Sequence, residues 1–272
     1  MISIDVQGAA VPALGFGTWR LRGEDGRHAV SVALDAGYRH LDTAQAYDNE
    51  REVGRALRES GVSREEVFLT TKVWHDHLKY RDVLRSTDES LDRLGTDRVD
   101  LLLVHWPSDD VELEETLDAF QEARERGKTR LIGVSNFPPS LLEQALALVP
   151  DLANVQVEYH PFLGQDALLE IVREHGLFLT AYSPIARGEV ARAQPIQEIA
   201  AVHGKSAVQV ALRWLVQQER VAAIPRSSNP EHIRANAEVF DIALSEEEMA
   251  AISALARGER LVDPGFAPAW EQ

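Results

Sequence analysis

Val99–His105, VDLLLVH, is an apolar run with no alternation of polar and apolar residues. A strand of this kind is covered on both faces, as in a parallel sheet flanked by helices. Leu177–Tyr182, LFLTAY, has the same character. With these two as anchors, strands are predicted at Leu14–Gly17, Tyr38–Asp42, Val67–Lys72, Asp100–His105, Leu131–Ser135, Asn154–Val157, Phe178–Tyr182 and Val221–Pro225. Each gap between them holds room for one helix and two loops. Asp82–Leu94 carries Val83, Leu84, Thr87, Leu91 and Leu94 near the helical period and stops at Gly95. Leu113–Arg126 stops at Gly127 in the same way, Ser140 is expected to cap Leu141–Leu148, and Ser206–Gln218 carries an apolar stripe of Val208, Ala211, Leu212 and Leu215. Strands alternating with crossover helices in this number predict an α/β fold, a (β/α)8 TIM barrel. No Ser/Gly linker or low-complexity segment divides the chain, so one domain over residues 1–272 is expected. A doubly wound sheet is the competing architecture. It calls for G-x-G-x-x-G after the first strand, and GFGTWR (15–20) is not that motif.

Two pieces fall outside the repeat. Ile2–Val6 and Ala9–Ala13 flank Gln7-Gly8 and are predicted to form a hairpin that plugs one barrel end. Ser245 is placed to cap SEEEMAAISAL, with acidic residues in the first turn. After it comes a Pro- and Gly-containing C-terminal tail, GERLVDPGFAPAWEQ (258–272), whose Phe266 and Trp270 are expected to dock on the body.

Composition removes several classes of function. The 272 residues include no cysteine, which excludes disulfide frameworks, thiolate zinc sites, iron–sulfur clusters and cysteine nucleophiles. Lys and Arg number 28 against 44 Asp and Glu, a formal charge of −16, so neither a nucleic acid nor an anionic membrane is an expected partner. The start, MISIDVQGAAVPAL, lacks the pattern of a signal peptide, and no apolar run is long enough to span a bilayer. A soluble, cytoplasmic protein, monomeric and acting on a small molecule, is the expectation.

In a barrel of this type catalytic groups occupy the C-terminal strand ends and the loops beyond. Those places hold Asp42, Tyr47, Lys72, His105, Ser135-Asn136, Gln156, Tyr182-Ser183-Pro184 and Ile224-Pro225-Arg226-Ser227. No carboxylate pair for glycoside hydrolysis and no cluster of metal ligands is among them, and the His75-x-His77 pair lacks a third ligand; no metal is expected. A phenol is a poor acid at neutral pH. An adjacent ammonium is expected to lower its pKa, which gives Lys72 a use beside Tyr47, and Asp42 would keep the ammonium charged. His105 could donate a hydrogen bond to a substrate oxygen. Together these groups suit protonation of a carbonyl oxygen as negative charge develops on it. Trp19, Trp74 and Trp106 follow strand ends and are expected, with His105, to wall an apolar substrate pocket. Gly15 and Gly17 are expected to permit a tight barrel entry.

From end to end the sequence resembles the aldo-keto reductases. The matching motifs are GFGTWR, YRHLDTAQAYDNEREVG, FLTTKVW, VDLLLVHWP, IGVSNF, NVQVEYHP, TAYSP and AAIPRSSNPEHIRAN, in family order. The short loops and the RLVDPGFAPAW tail resemble the prokaryotic 2,5-diketo-gluconate reductases, most closely their B-type branch. The resemblance implies a catalytic tetrad of Asp42, Tyr47, Lys72 and His105, with Tyr47 as general acid. It implies that Ser135, Asn136 and Gln156 hold a nicotinamide carboxamide, that Tyr182 stacks on the ring, and that Ser183, Pro184 and Ile224 line the cofactor. Arg226, Ser227 and His232 fall where the family grips the adenosine 2′-phosphate, with Asn236 near the adenine. Arg226 stands where the family usually has Lys, and His232 where it usually has Arg. NADPH is therefore the expected cofactor, with NADH used more weakly, and the expected activity is reduction of small aldehydes, α-dicarbonyls or keto-sugar acids. A non-catalytic, cofactor-sensing protein on the same fold is the alternative.

Overall fold

The computed structural model describes residues 2–271. The N-terminal strands β1 (Ser3–Val6) and β2 (Ala9–Pro12) pair antiparallel around Gln7-Gly8, whose φ angles of 47° and 76° suit a tight hairpin turn. Parallel strands β3 (Phe16–Gly17), β4 (His40–Asp42), β5 (Phe68–Val73), β6 (Val99–Val104), β7 (Thr129–Ser135), β8 (Asn154–Glu158), β9 (Phe178–Tyr182) and β10 (Val221–Ala223) then follow one another in space in chain order. The ends of this sheet meet. Gly15 donates its N–H to Ala223 O at 2.8 Å, Ala223 donates to Ala13 O at 2.8 Å, and Gly17 donates to Pro225 O at 3.0 Å. These bonds close the expected (β/α)8 barrel. Closure needs the glycines: a Cβ on Gly17 would stand 2.8 Å from Ile224 O, and one on Gly15 2.8 Å from the His40 ring.

Helices α1 (Gly23–Asp35), α2 (Glu50–Glu59), α3 (Tyr80–Leu94), α4 (Leu113–Glu125), α5 (Pro139–Leu148) and α6 (Asp166–His175) each follow one strand. Two helices, α7 (Gln194–His203) and α8 (Ala207–Gln217), fill the longer gap after β9, and α9 (Pro230–Ala237) and α10 (Glu246–Ser253) follow β10. Strands β5 and β6 are buried along their whole length, as their unbroken apolar runs require. On α3, Val83, Thr87, Leu91 and Leu94 are buried, and Gly95 ends the helix with φ 68°. Ser245 caps α10 in a capping box with Glu248, and Ser206 caps α8 with Gln209.

Two local expectations are corrected. Helix α5 starts at Pro139 with Pro138 as its N-cap, and Ser140 lies inside the first turn. Proline suits that position because its missing N–H has no partner there anyway. Freed from capping, the Ser140 hydroxyl donates to Glu271 of the tail, and its N–H donates to Glu271 Oε2 at 3.1 Å. Strand β4 begins at His40 and not Tyr38, because Gly37 turns the chain with φ 92°.

The hairpin closes the N-terminal end of the barrel. Ile4, Val6, Ala9 and Val11 are buried. The His40 Nδ1 lies 3.1 Å from Pro12 O, and the His40, Phe68 and Phe178 rings meet edge to face across the strand starts. The opposite end is left for a site. Among the described residues no helix is long and apolar enough to cross a membrane.

Candidate active site

The open end gathers residues from every part of the chain. Asp42 ends β4 and Lys72 lies near the end of β5; both side chains are 1% exposed. Lys72 Nζ donates to Asp42 Oδ1 at 2.5 Å, to Thr43 O at 2.9 Å and to the Tyr47 hydroxyl at 3.4 Å. Tyr47 stands on a single 3-10 turn, Gln45–Tyr47, which stops at Asp48 in the left-handed region (φ 55°). His105 follows β6, its N–H bonded to Val73 O at 3.0 Å. Its ring meets those of Tyr47 and Trp74 edge to face, with centroids 5.6 Å and 5.0 Å away.

Neighbouring strand ends supply the amides. Gln156 Nε2 donates to the other Asp42 oxygen at 2.8 Å. Asn136, at φ 63°, donates its N–H to Gln156 O at 2.9 Å. Its Nδ2 donates to His105 O at 2.9 Å and to Ser135 Oγ at 3.1 Å, and its Oδ1 accepts from the Tyr182 hydroxyl at 2.7 Å. Ser135, Asn136 and Gln156 are all buried. Beyond Tyr182 the backbone is strained: Ser183, Ala186 and Arg187 have φ of 49°, 46° and 53°. Such conformations cost a non-glycine residue about 1 kcal/mol each and concentrate at functional sites.

The electrostatics correct one expectation. Burial pushes the Tyr47 phenol well above the usual tyrosine value, and the Asp42 charge adds to the effect. The Lys72 ammonium does not outweigh this burial. Burial also lowers the Lys72 ammonium, with Asp42 opposing, so the ammonium is largely answered by its own carboxylate. Burial, the Lys72 charge and His75 hold the His105 imidazole well below its ordinary value. Around neutral pH the site therefore presents a protonated phenol and a neutral imidazole, both able to donate to one small polar group. His105 Nδ1 is buried with no hydrogen-bond partner.

An aromatic wall rises beside these groups. Phe266 from the tail meets Trp74 and Trp106 at 5.6 Å and His75 at 4.4 Å, and Trp270 meets Trp106 at 6.1 Å. The tail thus docks as its aromatics suggested, but its place over Trp74 and Trp106 is not legible in one dimension. Trp19 is 43% exposed, with the Arg20 guanidinium 4.2 Å over its ring, and among the described residues its ring meets none of these aromatics. His75 and His77 are also accounted for by protein contacts, His75 with Phe266 and His77 with Gln45 Oε1 at 3.4 Å.

The segment after β10 is more open. Arg226 is exposed and donates Nε to Trp19 O at 3.1 Å, and Ser227 Oγ accepts the Asn229 N–H at 3.1 Å. His232 is exposed on α9, whereas Asn236 one turn on is buried. Ile224 and Pro184 are buried. The donor set fits a nicotinamide dinucleotide: buried amides and a hydroxyl suit a carboxamide, and an exposed guanidinium with free Nη groups suits a phosphate.

The open end of a closed (β/α)8 barrel thus holds a buried Lys–Asp pair together with a tyrosine and a histidine. Comparison with known proteins gives the family. The model of the Aldo/keto reductase family matches residues 13–257, and the chain belongs to that family. It is 42% identical over 267 residues to methylglyoxal reductase DkgB of Escherichia coli O157:H7, covering 96% of this chain and 100% of the relative. An aldo-keto reductase of Mycobacterium sp. (strain KMS) is 43% identical over 258 residues, 93% of this chain and 92% of that one. A solved structure described as a 2,5-diketo-D-gluconic acid reductase B superposes with a TM-score of 0.97 at 46% identity, covering 100% of this chain and 98% of the other. The protein is an oxidoreductase of a family that uses nicotinamide nucleotides.

Proposed function

We propose that the protein reduces small carbonyl compounds to alcohols with NADPH, and that Tyr47 is the proton donor. The observation that carries this reading is Lys72, buried between Asp42 and the Tyr47 hydroxyl beside a neutral His105. A reduced nicotinamide bound along Ser135, Asn136, Gln156 and Tyr182 supplies the hydride. Everything else falls to the chain. His105 donates a hydrogen bond to the carbonyl oxygen and orients it. Tyr47 gives its proton to that oxygen as negative charge develops there. The resulting phenolate is stabilised by the Lys72 ammonium 3.4 Å away, which Asp42 holds in place. The high pKa of the free phenol keeps the proton on Tyr47 until it is needed.

Trp74, Trp106 and Phe266 form the walls that exclude water, and their closeness favours short substrates of the methylglyoxal or keto-sugar-acid type. The names of the relatives support that class. Arg226 and Ser227 would grip the 2′-phosphate, with His232 and Asn236 beside the adenosine. The test is Tyr47→Phe. It should bind NADPH as the wild type does, by quenching of tryptophan fluorescence, and lose kcat by about a thousandfold. A kcat near that of the wild type removes Tyr47 from the role.

A further inference from the structure

A buried carboxylate that no step of the proposed reaction uses lies just beyond the amides of the site. Side chains two apart on a strand share a face, and on β8 one face carries Gln156, bonded to Asp42, and then Glu158. Glu158 is the register partner of Tyr182 on β9, and it is 0% exposed. Its charge reaches Tyr182: burial pushes that phenol well above the usual tyrosine value, and Glu158 adds to the rise. The Tyr182 hydroxyl in turn reaches Asn136.

Hydrogen bonds answer this carboxylate, and no cation is paired with it. Oε1 accepts the Leu261 N–H at 2.9 Å and Oε2 the Val262 N–H at 2.9 Å. Among the described residues its one ion-pair contact is His160, whose Nε2 lies 3.0 Å from Oε1. That histidine is neutral. Its Nδ1 accepts the Phe162 N–H at 3.3 Å, so the proton of the ring is on Nε2 and is donated to Glu158. The Arg260 guanidinium feels the Glu158 charge, but it stacks 3.6 Å over the Trp270 ring and is not paired with the carboxylate. Asp42, by contrast, is matched by Lys72. Two backbone N–H groups could be met by a neutral acceptor at far lower desolvation cost, so anchoring the tail does not by itself account for a buried charge here.

Hydride transfer moves a hydrogen with its electron pair from a reduced nicotinamide to the carbonyl carbon, whose oxygen takes the Tyr47 proton. The nicotinamide ring, neutral before, is left with one positive charge. We propose that Glu158 is a positioning residue for charge: acting across Tyr182, it stabilises the oxidised, cationic nicotinamide over the reduced, neutral one and so favours departure of the hydride. This inference rests on the reading that a nicotinamide lies along Ser135, Asn136, Gln156 and Tyr182.

The experiment measures Kd for NADP+ and for NADPH by tryptophan quenching, without turnover. Glu158→Gln keeps the shape and removes the charge, and it should raise the ratio of Kd for NADP+ to Kd for NADPH about tenfold. Glu158→Asp keeps the charge and shortens its reach to the tail; its ratio should stay within about threefold of the wild type even where both nucleotides bind more weakly. Equal changes for both nucleotides in Glu158→Gln, or the same rise in ratio for Glu158→Asp, overturn the proposal and leave Glu158 as an anchor of the tail. If Glu158→Gln does not fold, the wild-type ratio decides: NADP+ bound at least as tightly as NADPH supports the proposal, and NADPH bound more tightly overturns it. A wild type that binds neither nucleotide removes the reductase reading and this inference with it, whereas binding of both with a ratio untouched by Glu158→Gln removes the inference alone.

Discussion

Lys72 makes the most demanding choice in the chain: an ammonium placed where it is 1% exposed. Its charge is tolerable because Asp42 and Thr43 O take two of its three donor positions, and the third points to Tyr47. Removing one partner of such a pair leaves the other charged, buried and unanswered. Lys72→Met should therefore lower stability by about 3 kcal/mol, seen as a lower urea midpoint, as well as abolish turnover. The double variant Lys72→Met with Asp42→Leu should recover much of the stability and none of the activity. If the double variant is no more stable than the single one, the cost of the lone carboxylate is not the cause.

Helix α2 must lie close against α3, and the contact is made by a glycine. A Cβ on Gly54 would fall 2.0 Å from Leu94 O, a backbone atom at the end of α3 that no rotamer change can move. Gly54→Ala should destabilise by about 3 kcal/mol even though alanine is the better helix former, and thermal unfolding measures it. If the melting temperature rises, propensity outweighs the clash. Helix α9 offers a test of the proposed cofactor grip without touching the core, since His232 is exposed. His232→Arg should tighten NADPH binding about tenfold, one charge-assisted hydrogen bond, and leave NADH binding as it was. Equal gains for both nucleotides would move the 2′-phosphate away from α9.

Taken over the entire barrel, two buried histidines link stability to pH. His40 under the N-terminal hairpin and His105 at the opposite end both have pKa values lowered by burial from the ordinary 6.5. Between the lowered values and about 6.5 the unfolded chain binds more protons than the folded one, so stability falls as pH drops below about 6.5. The urea midpoint should decline between pH 7.5 and pH 5, and His40→Gln should flatten that slope whatever it does to the midpoint at pH 7.5. A slope that survives unchanged in both His40→Gln and His105→Gln would place the linkage in other groups.

The barrel was legible because its strands are apolar on both faces and its helices carry stripes at the helical period, and these are local patterns. Asp42, Lys72 and His105 were legible for a related reason: strand ends are recognisable, and in this architecture strand ends converge. What local pattern could not convey is the direction of forces among groups brought together from distant positions. The expected lowering of the Tyr47 pKa by Lys72 is reversed, because burial of the phenol outweighs an ammonium already held by Asp42. The destinations of Phe266, Trp270 and Arg260 are equally a matter of assembly. The tail is held by Glu158, Arg187 and the first turn of α5, three contacts contributed by separate parts of the chain. Periodicity determines which residues enter the core, since it acts between neighbours in the chain. Only the closed fold decides what charge, solvent and partners each strand-end residue meets, because those depend on every other strand at once.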